Sequence, residues 1–242
     1  MLLGMPSEAD DVGHTDPALA PPPVLAFFDV DNTLIHGASV YHLGKAAFTH
    51  GFLGWRDLVR FAWQQARFIA VGENHRHQLS ARDRALALVA GRTEEELEQL
   101  SIETYDDRVV KLLLPATVAL AHDHMAQGHE VWLITATPQS FASVMAERLG
   151  LSGAIGTRIE SIDGVFTGAL RGHVMHGSHK ADAAAQLASE RGAHLTDCWA
   201  YSDSRNDIPL LELVGNSTAV NPDAALLRYA TARGWPIVRA RP

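Results

Sequence analysis

The apolar run VLAFF, Val24 to Phe28, stops abruptly at two aspartates one residue apart, Asp29 and Asp31. A short, wholly apolar run without helical period reads as a strand buried on both faces, the kind a parallel sheet uses. Two like charges at the end of such a strand repel each other and cost stability unless something compensates them. A fold built around this stretch must therefore bring compensating groups to the strand end.

Two further strands repeat the design. VWLI ends in Thr135, Ala136 and Thr137, and CWAY ends in Ser202 and Asp203, followed by Asn206 and Asp207. Helical stretches separate them: TVALAHDHMAQG stopped by Gly128, PQSFASVMAERLG with Pro138 at its start, SHKADAAAQLASERG, and RNDIPLLELVG. NSTAVN, a helix from Asp223 and WPIVRA complete the chain, and RIESIDGVFTGALRG reads as a hairpin turning at Asp163–Gly164. Strands and helices alternating at this spacing predict an α/β fold with a doubly wound, Rossmann-like parallel sheet.

The stretch between the first strand and the rest is different. From Ser39 to about Arg108 the pattern is helical throughout, with GWRDLVRFAWQQARFIAVG, HQLSARDRALALVAG and a capping box of Thr93 and Glu96 opening TEEELEQL. This predicts an all-helical cap, residues 37–115, inserted into a core formed by residues 23–36 and 116–242. Residues 1–22 read as a mobile tail, without the basic start and apolar stretch of a secretory signal.

Composition excludes several classes. Of 242 residues 47% are hydrophobic, enough for a sizeable core. The net charge of -8 argues against nucleic acid as a partner. A single cysteine, Cys198, rules out an internal disulfide and fits a cytoplasmic location. No apolar run approaches the ~20 residues that membrane insertion requires.

In an open parallel sheet, ligands bind beyond the carboxyl ends of the strands. With the three strands as neighbours, Asp29, Asp31, Asp203 and Asp207 converge, and a divalent cation would offset their repulsion. An all-oxygen set of this kind suits Mg²⁺. Lys180, near a helix start, offers a further positive charge. A carboxylate beside a cation, a lysine and a hydroxyl suggests phosphoryl transfer. Each piece alone has a plainer reading: a turn for Asp29–Asp31, a helix cap for Thr135 or for Asp203–Asp207, and a solvated lysine for Lys180. All four in order, each at the terminus of a strand or helix, make coincidence a poor account.

The Asp29-Val30-Asp31-Asn32-Thr33 run, Thr135 in LITAT, Lys180, and Asp203 to Asp207 in YSDSRND occur in the order found in the haloacid dehalogenase superfamily. The chain resembles the phosphoserine-phosphatase-like branch of that superfamily, from about Val24 to Asn221. The resemblance implies a Mg²⁺-dependent phosphatase of a small phosphorylated metabolite. Asp29 would be the nucleophile and a Mg²⁺ ligand. Asp31 would be the general acid and base, with its backbone carbonyl on the metal. Thr135, the Ala136 amide and Asn206 would hold the phosphoryl group, and Lys180 would neutralise it. Asp203 would ligate the metal, and Asp207 would orient a metal-bound water or Lys180.

The chain departs from that branch where strict phosphoserine phosphatases carry a glutamate. That position is Ala38, and no acid occurs between Asp31 and Asp57. Phosphoserine, histidinol phosphate and a phosphorylated lipid headgroup stay open as substrates, and a non-catalytic binding scaffold is the alternative of a different class. The histidines at 122, 124, 173, 176 and 179 read as loop or solvent-face residues rather than metal ligands, with a substrate contact open to His176 and His179 beside Lys180.

Overall fold

The computed structural model describes residues 21–49, 52 and 81–241. The leader up to Ala20 and the helix expected over 54–72 lie outside the described residues. Element labels below run over the described residues alone.

Strand β1, Leu25–Phe28, lies at the centre of a six-stranded sheet. It pairs on one side with β2, Glu130–Pro138, which pairs in turn with β3, Gly153–Thr157. The small strands β4, Ile159–Ile162, and β5, Val165–Leu170, form a separate antiparallel hairpin. On the other side of β1 lie β6, Trp199–Ser202, then β7, Asn216–Val220, and β8, Ile237–Val238. Every pairing in the large sheet is parallel. The order β3-β2-β1-β6-β7-β8 reverses direction at β1, which creates the crevice where ligands of doubly wound sheets bind.

Helices cover both faces, as the sequence alternation requires. Leu25 and Phe27 point to one face and Ala26 and Phe28 to the other, all four fully buried. Burying a leucine or phenylalanine side chain contributes about 1.5–3 kcal/mol. The first face packs against α6, Ser178–Arg191, α7, Ile208–Leu213, and α8, Ala224–Arg233, through Ala184, Leu187, Leu210, Leu211 and Leu226. The second packs against α4, Pro115–Ala126, and α5, Gln139–Arg148, through Ala121, Phe141 and Met145.

The inserted segment contributes α1, Ser39–Thr49, α2, Ala81–Val89, and α3, Glu94–Asp107. Its Leu43, Leu97 and Leu100 belong to the same core cluster as Phe28 and Phe141. The capping box at Thr93 and Glu96 forms as read from the sequence. A 3-10 turn, Val109–Leu112, leads back towards α4, and His36 N–H donates to Leu112 O at 2.8 Å, so the two linkers of the insert run side by side.

The expected hairpin turns at Asp163 and Gly164, whose φ values of 51° and 76° are those a tight two-residue turn demands. It does more than close on itself. Phe166 exchanges backbone hydrogen bonds with Gly91 and Arg92 at 2.8 Å each, and Glu94 N–H donates to Gly164 O at 2.9 Å. The hairpin thus supplies a strand edge to the loop between α2 and α3.

Strand β3 is a departure from the sequence reading, which assigned no strand to GAIGT. Its two glycines suppress strand propensity, yet the fold needs them. A Cβ at Gly156 would stand 2.8 Å from Gln139 Cα and from Thr137 O. Glycine lets β3 approach the bend that ends β2. Pro138 is likewise the last residue of β2, and α5 begins at Gln139.

Candidate active site

The register places Phe28 beside Leu133 and Tyr201, so the residues that follow all three strands emerge at one level. Asp29 is 6% exposed there, with its N–H donating to Tyr201 O at 2.9 Å. Lys180 reaches the same point from the first turn of α6. Its Nζ donates to Asp29 Oδ1 at 2.5 Å and to Asp207 Oδ2 at 2.6 Å, with the lysine 3% and Asp207 2% exposed. Ser202 Oγ also donates to Asp207 Oδ2, at 2.7 Å. Thr33 Oγ1 donates to Asp29 Oδ2 at 3.2 Å.

One ammonium between two buried carboxylates is the compensation the opening stretch demanded. Burial works against the charge on Lys180, but Asp29 and Asp207 outweigh it and raise its pKa above the usual lysine value. Compensation is incomplete at the carboxylates. Burial, with the charge of Asp207 and despite the pull of Lys180, pushes Asp29 up to about 6. Asp203 is pushed up to about 7, first by burial and then by the charge of Asp29, while the Asn32 side chain pulls the other way.

Asp29 and Asp203 therefore form a site short of positive charge. Two carboxylates this close are oxygen donors of the kind that would suit a small hard cation retaining waters, as Mg²⁺ does. Among the described residues no group of three or more His, Cys, Asp or Glu could hold a metal by side chains alone. Asp207 Oδ2 accepts from both Lys180 and Ser202.

Asp31 follows on the loop beyond β1. Its Oδ1 accepts from Ser39 N–H, the first residue of α1, at 2.8 Å. Thr135 is 1% exposed, and its hydroxyl donates to Thr137 Oγ1 at 3.0 Å. Ala136 is exposed at the end of β2, where its carbonyl accepts from Thr157 Oγ1 at 2.7 Å. Asn206 is exposed and turned back on its own loop, with its N–H and Nδ2 both donating to Ser204 Oγ at 3.2 Å.

The sequence reading singled out none of Thr33, Asn32, Ser39, Thr137 or Ser202 as individual site residues. Thr33 and Ser202 were within reach, four residues after Asp29 and one before Asp203. The contact of Ser39 with Thr137 spans 98 positions, and no local pattern announces it.

The chain is 40% identical to phosphoserine phosphatase SerB1 of Mycobacterium tuberculosis H37Rv, over 97% of this chain and 86% of that protein. It is 31% identical to a histidinol-phosphatase of Neisseria meningitidis, over 88% of this chain and 97% of that protein. Its fold is similar to the crystal structure of a protein of unknown function from Bordetella pertussis Tohama I, with TM-score 0.74 and 30% identity over 90% of this chain and 99% of that one. A model of the haloacid dehalogenase-like hydrolases matches residues 26–212, and that span takes in all four strand and helix ends assembled around Asp29. The chain belongs to the haloacid dehalogenase-like hydrolase family.

Proposed function

We propose that this chain is a Mg²⁺-dependent phosphatase of a small phosphomonoester, acting through an aspartyl-phosphate on Asp29. The observation that carries the reading is the buried Asp29 carboxylate with one oxygen fixed by Lys180, which Asp207 fixes in turn while Ser202 holds Asp207. Fixing the nucleophile and placing positive charge beside it are what phosphoryl transfer asks of a protein.

In the first half-reaction an Asp29 oxygen attacks phosphorus in line, and the phosphorus–oxygen bond to the leaving alcohol breaks. Asp31, as the acid, gives its proton to the departing oxygen. In the second, Asp31 takes a proton from water, whose oxygen attacks phosphorus. The bond to Asp29 breaks and inorganic phosphate leaves. Lys180 offsets negative charge on Asp29 and the phosphoryl group throughout. Thr135 and the Ala136 amide hold phosphoryl oxygens at the end of β2, with Asn206 as a further donor once its loop turns inward. Asp29, Asp203 and the Asp31 carbonyl would hold the cation, which when bound supplies charge neutralisation at the phosphoryl oxygens.

Residues 37–115 act as the cap over this site, on the core formed by residues 23–36 and 116–242. The absence of any disulfide partner for Cys198, the sole cysteine, supports a cytoplasmic location. No helix among the described residues is long and apolar enough to cross a membrane.

The two named relatives, a phosphoserine and a histidinol phosphatase, support a phosphate ester of a small alcohol as substrate. Ala38 offers no charge to a substrate ammonium, and a buried unpaired charge is costly, so phosphoserine is not expected to be the best substrate. The test is a panel of phosphorylated metabolites with Mg²⁺ and with EDTA, joined to mass spectrometry of Asp29. Turnover in Mg²⁺ alone, and phosphate trapped on Asp29, are expected. Full turnover in EDTA sinks the metal assignment. Highest kcat/KM for phosphoserine sinks the substrate argument.

A further inference from the structure

Three buried hydroxyls form a chain across the junction of insert and core. Thr135 Oγ1 donates to Thr137 Oγ1 at 3.0 Å, and Thr137 Oγ1 lies 2.5 Å from Ser39 Oγ. Thr137 N–H closes the core end by donating to Thr135 Oγ1 at 3.2 Å. Ser39 and Thr137 are 0% exposed and Thr135 1%. The chain continues through the backbone of Ser39, whose N–H donates to Asp31 Oδ1 at 2.8 Å. A single unbranched path therefore joins the general acid, the first turn of α1, and the bend of β2 that ends the phosphoryl-binding strand.

Buried hydroxyls cost free energy unless they are paired, and here each is paired by another member of the path. An apolar side chain at 39 would have avoided the cost on that side. What the hydroxyl adds is registration. Ser39 Oγ on Thr137 fixes the first turn of α1 against β2, and that fixes the direction of the Ser39 N–H. This N–H donates to Oδ1 of the Asp31 carboxylate.

We propose that Ser39 is a positioning residue for the general acid, holding Asp31 with its backbone N–H while Thr137 holds Ser39. The aim of Asp31 is then set jointly by insert and core, so that displacing α1 from β2 misdirects the acid. The inference rests on the phosphatase reading with Asp31 as acid, and its test is arranged to separate the two.

Ser39 is the first residue of an 11-residue helix, where proline is tolerated because the first N–H groups have no partner inside the helix. Ser39→Pro removes both the N–H on Asp31 and the hydroxyl on Thr137. Ser39→Ala removes only the hydroxyl, Thr137→Val removes the other half of that contact, and Ser39→Thr restores it. Each variant is assayed on an alkyl phosphate, whose leaving oxygen needs a proton, and on p-nitrophenyl phosphate, whose leaving group scarcely does, with Asp31→Asn alongside.

Ser39→Pro is expected to lower kcat/KM, which covers the steps up to alcohol release and not the later water step, at least about tenfold on the alkyl phosphate and at most the ~10²–10⁴-fold a general acid contributes, with a loss of about threefold or less on the aryl ester. Ser39→Ala and Thr137→Val should show the same selectivity at smaller size, and Ser39→Thr should restore the wild-type ratio. A merely structural role would lower both substrates alike, and that result overturns the proposal. If Asp31→Asn is alkyl-selective and the Ser39 and Thr137 variants are not, positioning by Ser39 is wrong while the phosphatase reading stands. If Asp31→Asn shows no selectivity, Asp31 is not the acid and both readings fall. Should Ser39→Pro not fold, as judged by circular dichroism, Ser39→Ala and Thr137→Val decide the question by the same ratio.

Discussion

Two buried polar clusters sit along the same pair of central strands and solve the burial of ionisable groups in opposite ways. At the carboxyl end of β1 and β6, Lys180 forms ion pairs with Asp29 and Asp207 at 2.5 and 2.6 Å. One residue back, Tyr201 stacks on Phe28 at 4.2 Å and its hydroxyl lies 2.8 Å from Nε2 of His124, on α4. His124 Nδ1 shares a second hydrogen bond with His129 Nδ1, also at 2.8 Å. In this second cluster His124 stays neutral. Burial, and then the nearby His129, hold His124 down to about 4, against the weaker opposing pull of Asp123. The difference teaches where this fold spends charge. Buried charges occur where opposite partners meet at the strand ends, while under the sheet the same need for satisfied hydrogen bonds is met by uncharged rings.

The largest effect expected from breaking the comparison comes from Asp29→Asn. It removes the nucleophile but keeps a polar partner for Lys180, so activity on any phosphomonoester should fall to background while the fold survives. Substantial residual turnover would move the site elsewhere. Lys180→Met attacks the same cluster from the other side. It leaves two carboxylates buried without their cation, and removing one partner of a buried pair typically costs about 3–5 kcal/mol. A fall in urea midpoint together with loss of activity is expected, and an unchanged midpoint would show that the cluster is open to solvent.

A smaller effect, confined to the acid step, is expected for Asp31→Asn. kcat/KM for an alkyl phosphate, which stops short of the shared water step, should drop ~10²–10⁴-fold and that for p-nitrophenyl phosphate less. Equal losses on both would end the division of labour between the two aspartates.

The smallest effect tests the neutral cluster. His124 has a folded value near 4 and an ordinary value of 6.5, so its protonation favours the unfolded chain. Its contribution to stability is complete above about pH 6.5 and is lost progressively as pH falls towards about 4. Asp29 and Asp203, whose values are raised, act in the opposite direction over part of that interval. The quantity to measure is therefore the difference between wild type and His124→Gln in urea midpoint at pH 7 and at pH 5. Wild type should lose more than the variant on acidification. Parallel losses would mean that His124 does not titrate in this window.

Much of this molecule was legible in the chain. Apolar runs ending in acids gave the strand ends, because a parallel strand buried on both faces has to be apolar until it reaches the crevice. The Asp163–Gly164 turn, the Thr93–Glu96 box and the Asp223 cap, whose carboxylate accepts from Ala225 and Leu226, are local devices set by residues a few positions apart. Strand β3 was not legible, since its glycines serve a close approach to Thr137 and Gln139 rather than strand propensity. Nor was the docking of the β4–β5 hairpin against the loop between α2 and α3, which rests on backbone hydrogen bonds between segments far apart in the chain.

The sequence by itself determined the sheet class, the order of the chemical residues and the need for positive charge beside Asp29, because these follow from hydrophobic period and like-charge repulsion. Tertiary structure decided the partners. It gave Lys180 to both Asp29 and Asp207 across 151 and 27 positions, and Ser39 to Thr137 across 98. The physical reason is that a hydrogen bond is decided by position within a few tenths of an ångström. Positions that fine are fixed by the packing of helices on the sheet, and no local pattern of residues records them.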